Sequence, residues 1–278
     1  MNSLIKYRLF ARIIFVVIFI STIKLQAQSN YVYKEVGKTT LNLKVLKVKD
    51  VSQKESLPAI VFFYGGGWKS GHISQLRPQA KHFAKKGIVT FLVEYRIENK
   101  NGTTPFASLM DAKPAVRYIR KNAGNFGIDP NKIVACGASA GGHLAASAAL
   151  IENYNESTDD LEVSCIPNAL ILLNPVIDNS PSGYGYDRIG QNYRFFSPLH
   201  NIKKGVPPTI ILQGTKDPLI PVETVEYFKK AVQRVGSRCD LILYEGETHG
   251  FFNYKYRENY DKTLKDIEMF LQSLGYLN

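Results

Sequence analysis

Ser139, Asp217 and His249 are the residues of this chain whose types and order suit nucleophilic chemistry. A serine hydroxyl attacks well only when a base takes its proton, and the base works best when a carboxylate orients it. Ser139 lies in Gly137-Ala138-Ser139-Ala140-Gly141, after the mainly apolar run 132–136 and before the alanine-rich run 142–150. A serine between glycines where a strand gives way to a helix makes a tight elbow that holds Oγ clear of the backbone. Flanking side chains would clash in such a turn, so Gly137 and Gly141 are required there. Downstream, the strand-like run 209–214 ends in Thr215-Lys216-Asp217-Pro218, and His249 follows the last strand-like run, 241–244. Each residue has a plainer reading. Asp before proline often opens a turn, His249 before Gly250 fits a helix cap or loop histidine, and Asp178 and Glu223 are rival acids. His143 is expected to pack within the helix after the elbow, while His72, His82 and His200 lie on polar segments. The joint placement of Ser139, Asp217 and His249 at the carboxyl ends of strands favours the catalytic reading.

Acyl chemistry also needs donors for a developing oxyanion, each contributing roughly 3 kcal/mol. Tyr64-Gly65-Gly66-Gly67-Trp68 follows the third strand-like run. A glycine-rich loop there can turn its N–H groups into the site, and the Ala140 N–H of the elbow would supply another. A triple glycine also fits mere flexibility or a phosphate cradle, but no helix-opening Gly-Lys-Ser/Thr follows it. The irregular stretch 178–204 carries Tyr184, Tyr186, Phe195 and Phe196, which with Tyr64 and Trp68 are candidate walls of a substrate pocket. The alternative for that stretch is a surface loop with a few buried rings.

The elements that must position these residues alternate along the chain. Two half-buried runs, 31–36 and 41–48, precede six apolar runs at 58–63, 88–93, 133–136, 169–173, 209–212 and 241–244. Helical patterns lie near 74–86, 105–122, 140–151, 222–235 and 257–274. Buried strands alternating with amphipathic helices predict an eight-stranded, mostly parallel sheet covered on both faces. The 278 residues, 45% hydrophobic, suffice for one sizeable core, and no repeat or linker divides them.

Residues 1–27 form a separate unit: Lys6, Arg8 and Arg12, an apolar stretch 13–20, then Leu25-Gln26-Ala27. That is the pattern of a signal peptide, with an uncleaved anchor as the alternative and no cysteine to mark a lipoprotein. The apolar stretch is short for a membrane span, so residues 28–278 are expected to be a periplasmic or secreted domain without a stable span. Lys6, Arg8, Arg12 and Lys24 supply four of the +11 formal charges, leaving about +7. The lysines are scattered among acids, which reads as a solvated basic surface and argues against nucleic-acid binding. Cys136, Cys165 and Cys239 lack metal-ligand spacing. Export permits a Cys165–Cys239 disulfide, and the sequence leaves that pairing open.

Tyr-Gly-Gly-Gly-Trp, Glu94-Tyr95-Arg96, Gly137-Ala-Ser-Ala-Gly-Gly, Gly214-Thr-Lys-Asp-Pro and His249-Gly-Phe-Phe together resemble the α/β-hydrolase esterases of the hormone-sensitive-lipase-like branch. The nearest likeness is to exported bacterial acetyl- and feruloyl-esterase-like proteins. The resemblance runs from residue 31 to the end and implies an α/β-hydrolase fold with a minimal cap. By position it makes Ser139 nucleophile, His249 base, Asp217 its orienting acid, and Gly66, Gly67 and Ala140 the oxyanion donors, with no metal or cofactor. The implied reaction is cleavage of short acyl esters, acetyl above all, on a small-molecule or carbohydrate alcohol. Feruloyl, lipid or lactone esters are alternatives, as is a silent binding protein on the same scaffold. One departure stands out: Tyr64 occupies a position that is usually histidine.

Overall fold

A computed structural model of the chain describes residues 29–47 and 56–278; the expected leader at 1–27 lies outside the described residues. Eight strands form one sheet: β1 (Ser29–Val36), β2 (Thr39–Leu46), β3 (Leu57–Phe63), β4 (Val89–Val93), β5 (Ile128–Ala138), β6 (Ala169–Leu173), β7 (Thr209–Gly214) and β8 (Cys239–Tyr244). Their spatial order is β1-β2-β4-β3-β5-β6-β7-β8. The β1–β2 and β2–β4 pairs are antiparallel, and every pair from β4 to β8 is parallel. This is the eight-stranded, mostly parallel sheet expected from the apolar runs.

Strands β4, β6 and β7 are buried along their whole length, because helices cover both faces. β2 alternates instead, with Leu41, Leu43 and Val45 turned inward. The expectation of six buried strands fails at β8. Asp240, Leu241 and Ile242 are only half-buried and Leu243 is 42% exposed, because β8 is the far edge of the sheet.

Among the described residues five longer helices flank the sheet: α1 (Arg77–Lys85), α2 (Pro105–Lys121), α3 (Ala140–Leu150), α4 (Val222–Arg234) and α5 (Arg257–Ser273). α5 buries Tyr260, Thr263, Leu264, Ile267, Phe270 and Leu271, the one-sided stripe of a surface helix. α3 is buried all round, which its alanines and glycines allow by letting neighbours approach closely. Among the described residues no helix is long and apolar enough to cross a membrane.

A buried ionic knot ties the antiparallel edge to this layer. Asp111 of α2, its side chain fully buried, accepts from Lys34 Nζ of β1 at 2.6 Å and from Arg96 Nε at 2.8 Å. Glu156 accepts from the same lysine and arginine. Two cations meet two carboxylates, so removing Asp111 leaves an uncompensated charge away from water. Asp111→Ala should cost about 3 kcal/mol of folding stability, measured as a lower urea midpoint; an unchanged midpoint would show that the knot contributes nothing.

Candidate active site

The site lies along the carboxyl ends of β3, β5, β7 and β8, the edge where open α/β sheets bind ligands. β5 stops at Ala138 and α3 starts at Ala140, so Ser139 alone makes the turn, with φ 52° and ψ −118°. A Cβ on Gly137 would lie 2.0 Å from the Gly141 carbonyl oxygen, and one on Gly141 would lie 2.0 Å from that of Phe63. Backbone packing at both glycines therefore holds a serine conformation that is strained in isolation. The Ser139 N–H donates to the Leu173 carbonyl at 2.9 Å, pinning the turn to β6.

Ser139 Oγ stands 2.9 Å from His249 Nε2, and His249 Nδ1 stands 2.7 Å from Asp217 Oδ2. A carboxylate only accepts, so Nδ1 carries the proton and Nε2 is free to accept from the serine hydroxyl. The other Asp217 oxygen accepts the Leu219 and Ile220 N–H groups at 2.8 and 3.1 Å. Burial would raise the Asp217 carboxyl, but the hydrogen bonds from His249 and these N–H groups outweigh it and hold the group below its ordinary range. The histidine thus faces a fixed negative charge.

The glycine loop after β3 lies opposite. Gly66 has φ +133°, and a Cβ there would come within 2.1 Å of the Ser70 carbonyl oxygen. Gly67 and Trp68 also have positive φ, at 62° and 58°. Among the described residues the N–H groups of Gly66, Gly67 and Ala140 have no protein acceptor, so they are available to a developing oxyanion.

A cavity of about 300 Å³ opens between this loop and the serine, walled by Tyr184, Leu219, Phe252, Asn253 and Gln75. Of the six expected pocket aromatics, only Tyr184 lines it. Tyr64, Trp68 and Phe196 are buried beneath the loop instead. Tyr64 stacks on Tyr95 with centroids 4.2 Å apart, and each hydroxyl donates to the other residue's carbonyl. Trp68 packs edge-on against His143, and Phe196 lies against that same imidazole. Phe195, 56% exposed, turns to solvent, and Tyr186 packs on Tyr193 outside the cavity. The stretch 178–204 braces the loop from outside: Arg188 donates to the Gly67 carbonyl and lies over the Trp68 ring.

Two of the other candidates are engaged elsewhere. Asp178 accepts from the Ser180 N–H and hydroxyl, and His82 pairs with Glu268. The three cysteines are free and buried. Among the described residues no cluster of three His, Cys, Asp or Glu is arranged to hold a metal ion. Sequence reasoning missed three polar residues that the site uses. The Asn174 amide nitrogen lies 3.2 and 3.4 Å from the two ring nitrogens of His249, over the ring face, and its Oδ1 accepts the Gly250 N–H. Gln213 reaches Asp217 Oδ2 at 3.3 Å, and Gln75 accepts the Gly65 N–H at 2.6 Å. Their one sequence signal is position, since Asn174 and Gln213 lie at the carboxyl ends of β6 and β7.

Known proteins share this architecture. Residues 47–182 match the BD-FAE family model, and residues 171–270 match the dienelactone hydrolase family. The chain superposes on the apo form of Thermogutta terrifontis esterase 2 with TM-score 0.86 and 40% identity, covering 90% of this chain and 96% of that one. The same esterase is known phosphorylated by paraoxon (TM-score 0.85, 40% identity) and with propionate bound (TM-score 0.85, 39% identity). An acetylxylan esterase of Xylanibacter ruminicola is 30% identical over 85% of this chain and 51% of its own length. A probable isoprenylcysteine alpha-carbonyl methylesterase of Oryza sativa is 27% identical over 77% and 57%. The chain spans about half the length of the curated relatives it matches.

His143 gives the site a pH signature. Burial lowers its imidazole from 6.5 to about 3, even though Nε2 donates to the Phe196 carbonyl at 2.8 Å. Between those values the unfolded chain binds a proton that the folded chain refuses, so stability falls as pH drops through the window. In urea titrations from pH 7 to pH 4, His143→Gln should lose less stability than wild type; equal slopes would contradict a neutral buried imidazole.

Proposed function

Starting from a chain that belongs to the α/β-hydrolase esterases, we propose that it is a serine carboxylic-ester hydrolase acting on short acyl esters, acetyl above all, of carbohydrate alcohols. Ser139 Oγ attacks the ester carbonyl carbon while His249 Nε2 takes the hydroxyl proton. The carbonyl oxygen becomes an oxyanion that accepts from the Gly66, Gly67 and Ala140 N–H groups. When the tetrahedral intermediate collapses, the ester C–O bond breaks and His249 gives its proton to the leaving alcohol. Water then attacks the acyl-serine, again losing a proton to His249, and the acid leaves as Ser139 regains its proton. Asp217 stays ionised throughout and stabilises the imidazolium.

The observation that carries this reading is the unbroken hydrogen-bonded line from Ser139 Oγ through His249 to Asp217, at 2.9 and 2.7 Å. Short acyl groups fit a cavity of about 300 Å³ walled by Leu219, Phe252 and Tyr184. A carbohydrate alcohol is favoured by the likeness to an acetylxylan esterase and by the 1–27 leader, which we read as an export signal for residues 28–278.

Purified protein should release acetate from acetylated xylan and hydrolyse p-nitrophenyl acetate faster than the decanoate ester. Ser139→Ala, with unchanged circular dichroism, should lower kcat by about 10⁴-fold or more. Retained turnover in that variant would remove Ser139 from the mechanism. Activity on the small ester alone would keep the mechanism and reject the glycan.

A further inference from the structure

A second cavity is larger than the catalytic one. It is a groove of about 620 Å³ between α1 and α5, lined by Lys81, Lys85, Arg257, Lys265, Tyr254 and Tyr260 among others. Lys81 and Lys85 are one helical turn apart on α1, and Arg257 and Lys265 are two turns apart on α5, so two helix faces turn cations toward one trough. The groove's acids do not balance them. Glu268 is engaged by His82 and by Lys86 at 2.9 Å, and Asp261 lies 3.7 Å from Arg257. Among the described residues Lys81, Lys85 and Lys265 have no carboxylate partner. Arg257 is held over the Tyr254 and Tyr260 rings at 4.3 and 5.3 Å, which fixes a guanidinium at the groove wall.

Adjacent residues wall the groove and the catalytic cavity. Ser74 lines the groove and Gln75 the cavity; Tyr254 lines the groove and Asn253 the cavity. Consecutive Cα atoms are 3.8 Å apart, so the two sites approach each other at Ser74–Gln75 and at Asn253–Tyr254.

We propose that the α1–α5 groove is a subsite for an anionic polysaccharide, a chain of carboxylate-bearing sugars whose acyl esters are presented to Ser139. This rests on the esterase reading and narrows its substrate. Fixed sugar carboxylates meet the lysine ammonium groups, and the exposed Tyr254 ring offers an apolar face to a sugar. A nucleic acid would satisfy the charges but brings no carboxylic ester to the serine.

Binding separates this proposal from the chemistry. Ser139→Ala should retain polygalacturonate in affinity electrophoresis more strongly than neutral xylan, and added salt should weaken that retention. Adding Lys81→Gln, Lys85→Gln and Lys265→Gln should weaken it by about tenfold. In the otherwise wild-type chain the three substitutions should leave p-nitrophenyl acetate hydrolysis unchanged and raise KM for acetylated polygalacturonate. Equal retention of the two polymers, or of polygalacturonate with and without the lysines, would overturn the subsite. Binding of duplex DNA as tight as that of polygalacturonate would also overturn it, in favour of a general polyanion surface. Loss of p-nitrophenyl acetate turnover in wild type would instead sink the esterase reading, leaving the polygalacturonate result to decide the groove.

Discussion

The turn at Ser139 is the constraint on which the rest of the site depends. A non-glycine residue at φ 52° and ψ −118° is held there by backbone packed against Gly137 and Gly141 so closely that neither tolerates a side chain. That closeness needs a strand and a helix in contact at their ends, and so needs β5 between β3 and β6 with α3 buried against them. The parallel sheet is the frame of this one turn. Parallel order also brings the loops after β3, β7 and β8 to the same edge, so the candidate acid, base and oxyanion donors converge without a loop crossing the molecule.

Electrostatics completes what the backbone begins. Asp217 keeps its charge in a buried place because donors surround it, and that charge settles which His249 nitrogen carries the proton. Opposite, the glycine loop is held from both sides. The stacked Tyr64–Tyr95 pair, with its reciprocal hydrogen bonds, lies inside, and Arg188 grips the Gly67 carbonyl from outside. The buried Tyr64 hydroxyl anchors the loop to the segment after β4.

Much of the fold was legible because its signals are local. Apolar runs marked the strands, one-sided stripes marked the helices, and the elbow needs five consecutive residues. The order of Ser139, Asp217 and His249 was legible for the same reason, since each follows a strand. Long-range placement was not. β8 is as apolar as an interior strand, and only its edge position leaves Leu243 in water. Trp68 and Phe196 read as candidate pocket walls from their glycine- and proline-punctuated surroundings, yet they bury against His143. Asn174 and His249 are 75 residues apart, and no spacing rule joins them.

The most direct test of the central claim, that Ser139 is the nucleophile, is covalent labelling. The protein would be inactivated with paraoxon, digested, and mapped by mass spectrometry. One diethyl phosphate per chain, on the peptide holding Ser139 and matching the lost activity, is the expected result. Full inactivation with the label on another residue, or full activity with Ser139 modified, would contradict it.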